Sequence, residues 1–351
     1  MKTQLSARPL GRTGMDISTV GFGAWAISGA GWRYAWGPQD DDESIAAIRR
    51  AVEAGVNWID TAAVYGLGHS EEIVGRALAD IPEADRPLVF TKAGLVWDEA
   101  DPLASPRKIM RPDSVRREVE ASLRRLGVDR IDLYQVHWPG DGAPIEYTGD
   151  AQPGEATDQA TPIEDYWQVM ADLRAEGKVR AIGLSNHDVD QLRRAQQVAH
   201  VDAIQPHFSA IDRQAAPEIA WSADNGTGVI AYSPMESGLL TGTWSPERVA
   251  ALPDDDWRKT SPTFTTELGR NTALADALRP IADRHDVPPA AVAVAWTLAW
   301  PGITGAIVGA RRPEQIDGWL PGADLALTPA DLDEIGQAIT RTAAGAGPTR
   351  P

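Results

Sequence analysis

Asn57-Trp58-Ile59-Asp60-Thr61-Ala62-Ala63-Val64-Tyr65-Gly66 reads as a short buried strand, Val56 to Ile59, that runs out at an aspartate and carries a tyrosine onto a glycine-containing loop. A carboxylate and a phenol then share one strand exit. Alone the pair is ordinary, because aspartate often ends strands by capping the next turn and tyrosine packs in loops. Two later strand ends change its weight. Pro87-Leu88-Val89-Phe90-Thr91 runs into Lys92, and Ile131-Asp132-Leu133-Tyr134-Gln135-Val136 runs into His137. If these strands lie parallel in a barrel, their C-terminal ends open on one face, and Asp60, Tyr65, Lys92 and His137 have a reason to meet.

The same design recurs outward from this stretch. A small hairpin is expected over residues 8–19, ahead of the glycine-rich strand end Val20-Gly21-Phe22-Gly23-Ala24-Trp25. Val179 to Asn186, Ala203 to Gln205, Val229 to Ser233 and Gly305 to Arg311 are apolar runs that turn polar at their ends. Helical patterns fill most intervals. Ile45, Ile48 and Val52 share a face ahead of Gly55, Ser70 reads as the cap of a second helix, and Pro112 to Gly127 brackets a third. Thr161-Pro162-Ile163-Glu164 reads as a capping box, and helices follow at Thr272–Arg284 and Pro289–Leu298.

Eight strand runs alternating with helices predict an α/β fold, a single (β/α)8 TIM barrel over residues 1–340 with an N-terminal β-hairpin, leaving 341–351 as a flexible tail. An open doubly wound sheet calls for a Gly-x-Gly-x-x-Gly turn opening a helix, and Gly21-Phe22-Gly23 is followed by Ala24-Trp25-Ala26 instead. Gly23 marks either a tight strand exit or a close approach of backbone to ligand. Three long loops fall at the C-terminal face, 28–40 with Trp32, Tyr34 and Trp36, 138–160, and 238–270 with Trp244 and Trp257.

Composition narrows the partners. The 351 residues carry 33 Lys+Arg against 50 Asp+Glu, a formal charge of −17, which disfavours nucleic acid and anionic membrane. No apolar run approaches the roughly 18 residues of a membrane span, and the N-terminal stretch lacks a signal-peptide core. A cytoplasmic monomer or weak homo-oligomer is expected. With no cysteine, thiolate chemistry is excluded, and histidines 69, 137, 187, 200, 207 and 285 show no paired ligand spacing, so no metal is expected.

Seven motifs stand in a telling order: Asp60-Thr61-Ala62-x-x-Tyr65-Gly66, the Lys92 strand end, Asp132-Leu133-Tyr134-Gln135-Val136-His137-Trp138-Pro139, Gly183-Leu184-Ser185-Asn186, Gln205-x-x-Phe208-Ser209, Tyr232-Ser233-Pro234 with Gly238-Leu239-Leu240-Thr241-Gly242, and Gly309-Ala310-Arg311-Arg312-Pro313-Glu314-Gln315. From Leu10 to about Gly336 the chain resembles the aldo-keto reductase superfamily, and within it the bacterial general-stress and inositol-locus type of NADPH-dependent reductase. The resemblance implies NADPH held extended on a barrel and reversible reduction of an aldehyde or ketone to an alcohol.

Carbonyl reduction needs a hydride on carbon, a proton on oxygen and stabilisation of the charge between. Tyr65 can give the proton. A free phenol ionises near pH 10, so action near neutrality calls for a neighbouring cation to bring it down, and Lys92 supplies that sign, with Asp60 keeping the lysine charged. His137, as a neutral donor, would orient the carbonyl. Trp25, Trp32 and Trp138 join Tyr65 and His137 as the expected substrate wall, suited to a fairly apolar carbonyl compound.

Ser185, Asn186 and Gln205 offer groups for the nicotinamide carboxamide and Tyr232 a flat face for the ring, with Gly23, Ala24, Trp25 and Asp60 at the same end. Ser233, Pro234, Met235, Ser237 and Gly238 suit the pyrophosphate, and Gly309, Arg311 and Gln315 the adenosine and its 2′-phosphate. Two departures from the superfamily stand out: Gly318-Trp319 replaces a Glu-Asn pair that reads adenine in many relatives, and Phe208 replaces a frequent tyrosine. Two other readings keep the barrel, a nucleotide-binding sensor or accessory subunit with little turnover, and an aldolase with Lys92 as a Schiff-base lysine.

Overall fold

The computed structural model describes residues 5–146, 156–254 and 256–351. Eight parallel strands close into a barrel in chain order: β1 (Val20–Gly23), β2 (Trp58–Asp60), β3 (Leu88–Ala93), β4 (Ile131–Val136), β5 (Val179–Ser185), β6 (Ala203–Gln205), β7 (Gly228–Tyr232) and β8 (Gly305–Gly309). The seam closes where Ala306 on β8 pairs with Val20 on β1. Helices α1 (Asp41–Glu53), α2 (His69–Ala79), α3 (Pro112–Leu126), α4 (Ile163–Ala175), α5 (Val189–Val198) and α6 (Ala216–Asn225) follow the first six strands. Pro289–Ala299 leads into β8, and Glu314–Trp319 and Pro329–Thr342 follow it. Because helices cover the outside and side chains fill the inside, the strands are buried on both faces, which is why they read as continuous apolar runs.

Inside the barrel Trp58, Phe90, Leu133, Ala181, Ala203, Ile230 and Ile307 form one cluster with Leu10, Met15 and Ile17. The last three come from the N-terminal hairpin, Ala7–Pro9 against Asp16–Ser18, which plugs the end opposite the strand C-termini. Trp58 is the largest member, and its Nε1 donates to Ser18 O at 2.8 Å. A Cβ on Gly21 would fall 2.2 Å from Trp58 Cε2, so glycine there clears the indole. Gly21 therefore serves the core. Replacing a tryptophan so packed by alanine costs about 3–5 kcal/mol in comparable cores.

Several local expectations need correction. Ser70 does not cap α2; its Oγ donates to Ala24 O at 2.9 Å, and the cap position falls on Gly68, whose φ of 108° suits glycine. Thr161 forms no capping box, because Pro162 takes the cap position of α4 and the Thr161 amide is directed to Gly140 O at 2.8 Å. The helix expected over Thr272–Arg284 is two, Leu268–Ala277 and Arg279–His285, with Pro280 lacking the amide that would continue the ladder. The expected elements omit α5, although Val189, Leu192, Ala195 and Val198 recur at helical spacing; a capping box starts it, with Asp188 Oδ1 accepting the Gln191 amide and Gln191 Oε1 accepting that of Asp188.

The C-terminal segment, expected to be a flexible tail, is docked. Arg213 N donates to Ala346 O at 3.0 Å, Ala346 N donates to Ile211 O at 3.2 Å, and Arg350 Nη1 lies 2.8 Å from Asp333. Gly345 and Gly347 have φ of 63° and 100° where the segment passes against the backbone of Ile211 and Arg213. Of the loop expected at 138–160, residues 147–155 lie outside the described residues.

Candidate active site

A cavity of about 850 Å³ opens at the C-terminal ends of the strands. Asp60 ends β2, Lys92 projects from β3 and His137 follows β4. Tyr65 reaches them because Gly66 and Leu67 both take left-handed backbone, φ 60° and 55°, and a Cβ on Gly66 would fall 2.2 Å from Ser28 O. The glycine after Tyr65 is thus a steric requirement of the turn that delivers the phenol.

Lys92 is fully buried beneath Tyr65. Its ammonium is bonded to Asp60 Oδ1, donates to Thr61 O at 2.9 Å and stands 3.4 Å from Tyr65 Oη. The other oxygen of Asp60 accepts Gln205 Nε2 at 2.8 Å and Gln135 Nε2 at 3.1 Å. The Tyr65 and His137 rings meet edge to face at 5.6 Å. Burial pulls Lys92 below its ordinary value although Asp60 opposes the shift, and burial, then the charge of Lys92, holds His137 well below its own. His137 is therefore neutral at neutral pH. Tyr65 departs from expectation: burial, then Asp60, raises the phenol well above its usual value. The charge of Lys92 is offset by a carboxylate in contact, so it does not outweigh the burial of the phenol.

The side chains expected at the nicotinamide end are already bonded to one another. Ser185 Oγ donates to Gln205 O at 2.8 Å, Asn186 Nδ2 donates to His137 O at 3.0 Å, and Tyr232 Oη donates to Asn186 Oδ1 at 2.8 Å. Gln205 differs from its expected role in that its amide nitrogen serves Asp60 and Gln135. Every site residue named from the sequence lines the cavity except Lys92, and the donor set of amides, hydroxyls, one flat phenol face and a glycine-containing turn suits a nicotinamide dinucleotide.

At the far arm Arg311 does not present a free guanidinium. It donates to Gln39 Oε1 at 2.7 Å, Trp36 O at 3.0 Å and Pro38 O, stapling the loop after β1. Gln315 Oε1 accepts the amides of Arg311 at 2.6 Å and Arg312 at 3.3 Å. Arg312 is exposed at the rim, with no side-chain partner among the described residues. The acidic chain thus collects Arg248, Arg258, Arg311 and Arg312 along one arm of the cavity.

Some contributors escaped sequence reasoning. Gln135 lies inside the strand motif and carries no signal of its own until β4 is known to turn it toward Asp60. Trp257 stacks on Trp25 at 5.8 Å and meets Trp36 edge to face at 5.9 Å, while Arg258 lies 4.4 Å over the Trp36 ring. The loops after β1 and β7 thereby touch across the cavity. Trp25 in turn stacks on Tyr65 at 6.0 Å.

Known proteins share this barrel. The family model for the aldo/keto reductase family matches residues 19–340. The chain is 35% identical over 347 residues to the NADH-specific methylglyoxal reductase of Escherichia coli, covering 95% of this chain and 99% of the relative. It is 32% identical over 333 residues to the aldo-keto reductase YhdN of Bacillus subtilis, covering 94% and 92%. Among solved structures, a glycerol dehydrogenase from Gluconobacter oxydans superposes with a TM-score of 0.82 at 34% identity, covering 97% of both chains. On the matched span, the relatives and the barrel itself, this chain is an oxidoreductase belonging to the aldo/keto reductase family.

Proposed function

We propose that the protein reduces a neutral, largely apolar aldehyde or ketone to the alcohol, reversibly, with NADPH as the reductant. The observation that carries the reading is the contact chain from Asp60 through Lys92 to Tyr65 under the cavity, with the His137 ring against the phenol. A bound reduced nicotinamide would supply the hydride. The protein's own groups do the rest. His137, neutral and partly enclosed, donates an N–H to the substrate oxygen and takes up charge that develops there. Tyr65 hands its proton to the same oxygen. Lys92, kept cationic by Asp60, lies 5.0 Å from the centre of the Tyr65 ring and steadies the phenolate that remains.

The apolar preference is supported by Trp32, Tyr34, Val64, Leu95, Trp138 and Ile145, which pack beside Tyr65. NADPH is supported by the arginines of the far arm. Since Arg311 is occupied by carbonyls, recognition of a 2′-phosphate falls chiefly to Arg312. An aldolase reading is not favoured, because the Lys92 ammonium is held by Asp60, Thr61 and Tyr65 rather than left as a free amine.

Steady-state oxidation of NADPH and NADH with methylglyoxal, 4-nitrobenzaldehyde and a panel of ketones tests the proposal directly. Tyr65→Phe is expected to lower kcat by about 10²–10⁴-fold while nucleotide affinity stays near that of the parent. Tight nucleotide binding with no turnover across the panel would sink the enzyme reading in favour of a sensor.

A further inference from the structure

One buried charged cluster is used by no step above. His207 follows β6 two residues beyond Gln205 and lies flat against Tyr232, ring centroids 5.0 Å apart and planes 8° from parallel. Each ring nitrogen faces a carboxylate: Nε2 is 3.1 Å from Glu236 and Nδ1 is 3.2 Å from Asp212. Nε2 is in hydrogen-bond contact with Glu236, while Nδ1 meets Asp212 as an ion-pair contact outside hydrogen-bond geometry; a neutral imidazole would set a lone pair against one of these carboxylates, whereas the imidazolium presents positive charge to both. Burial opposes that charge and the two carboxylates favour it, with the result that His207 titrates well above the ordinary imidazole range. Glu236 also accepts Ser209 Oγ at 2.7 Å, and that oxygen accepts the amides of Ile211 and Asp212 at 3.0 Å. The next charge, Arg213, turns its guanidinium onto the carbonyls of Ala210, Ile211 and Ala344.

This cluster holds part of the cavity wall. Glu236 belongs to the turn Ser233–Gly238, in which Ser233, Glu236 and Ser237 have φ of 58°, 50° and 51°. Left-handed backbone at non-glycine residues persists where the surroundings impose it. Tyr232, Ser233, Met235, Ser237 and Gly238 all line the cavity. We propose that His207, held as an imidazolium between Glu236 and Asp212, is a positioning residue for the nucleotide: it backs the Tyr232 ring and clamps the Ser233–Gly238 turn, so that nucleotide affinity depends on its proton. The inference rests on the cavity being a nicotinamide site. A histidine raised by its partners holds its charge through acid and neutral pH and loses it as pH climbs through the folded-state value, so the clamp fails on the alkaline side.

The test is nucleotide binding, followed by isothermal titration from about pH 6 to about pH 10, for the parent, His207→Gln and the double variant His207→Gln/Glu236→Gln. The parent is expected to bind tightly at neutral pH and to weaken as pH rises. His207→Gln is expected to bind roughly tenfold more weakly at neutral pH and to lose the alkaline fall. The double variant leaves no lone Glu236 carboxylate in the interior, so it is expected to melt like the parent and still show the weak, pH-independent affinity. Both variants binding like the parent, with its pH profile, would overturn this proposal alone. A parent that bound no nucleotide would overturn the reading of the cavity along with it.

Discussion

Tyr65 sits where its proton is held rather than released. Burial first and the Asp60 carboxylate second keep the phenol above its usual range, so reduction draws on the prevalent form and alcohol oxidation on the scarce one. Oxidation rate is therefore expected to keep climbing with pH toward about 10 while reduction stays level over the same span. A plateau of the oxidation profile near neutrality would show that Lys92 depresses the phenol more than the geometry implies. Glu118 makes a second residue-scale case. It accepts Gly94 N at 2.9 Å and Ser114 Oγ at 3.1 Å, yet burial pushes it up to about 7. The folded chain then holds that proton where the unfolded chain has released it, so stability falls as pH rises from the ordinary carboxylate range to about 7 and stays lower above. Glu118→Gln should stabilise the protein by on the order of 3 kcal/mol in mildly alkaline buffer and by little in acid, as judged by denaturant melts. Equal effects at both ends would remove the assignment. Asp60, Lys92 and His137 were legible in the sequence because each closes an apolar run with a group that chemistry needs, and Tyr65 because it follows Asp60 on a glycine-containing loop. The direction of the Tyr65 shift was not, since it depends first on how deeply the folded chain buries the phenol.

The loops are where elements decide function. Arg311 illustrates the gap between motif and role: its position before the helix Glu314–Trp319 suggested a phosphate ligand, whereas its guanidinium holds Trp36, Pro38 and Gln39. Arg311→Ala is expected to weaken NADPH and NADH alike by releasing that loop, while Arg312→Ala should weaken NADPH by about tenfold and leave NADH nearly untouched. Dissociation constants for both nucleotides check this, and a selective loss of NADPH in the Arg311 variant would reverse the two roles. Strand ends are legible because alternation and burial leave a regular trace. Contacts such as Trp257 on Trp25 join segments more than 200 residues apart, and nothing local at either tryptophan announces the other. Helix starts failed for a plainer reason: Ser70 and Thr161 are good caps in isolation, but the tertiary turn put Gly68 and Pro162 at the boundary.

Across the whole molecule, the C-terminal segment ties the β6–α6 connection to the last helix. Arg213 is buried, with three carbonyls around its guanidinium, one of them from Ala344. Removing residues 343–351 strips that acceptor and two backbone bonds, and is expected to lower stability by on the order of 3 kcal/mol. Thermal melts of the truncated chain against the parent would show it; an unchanged midpoint would mean the segment is only laid on the surface. The eight-stranded plan was open to sequence reasoning from its repeated alternation, whereas the docking of this segment was not, because Thr342 to Pro351 carries no periodicity of its own. At the other end the hairpin seals the floor with Leu10, Met15 and Ile17. A vessel closed below admits and discharges everything through its rim, so the addresses that choose one guest over another are all written above, and exchanging rim segments between such vessels should change the guest without disturbing the foundations.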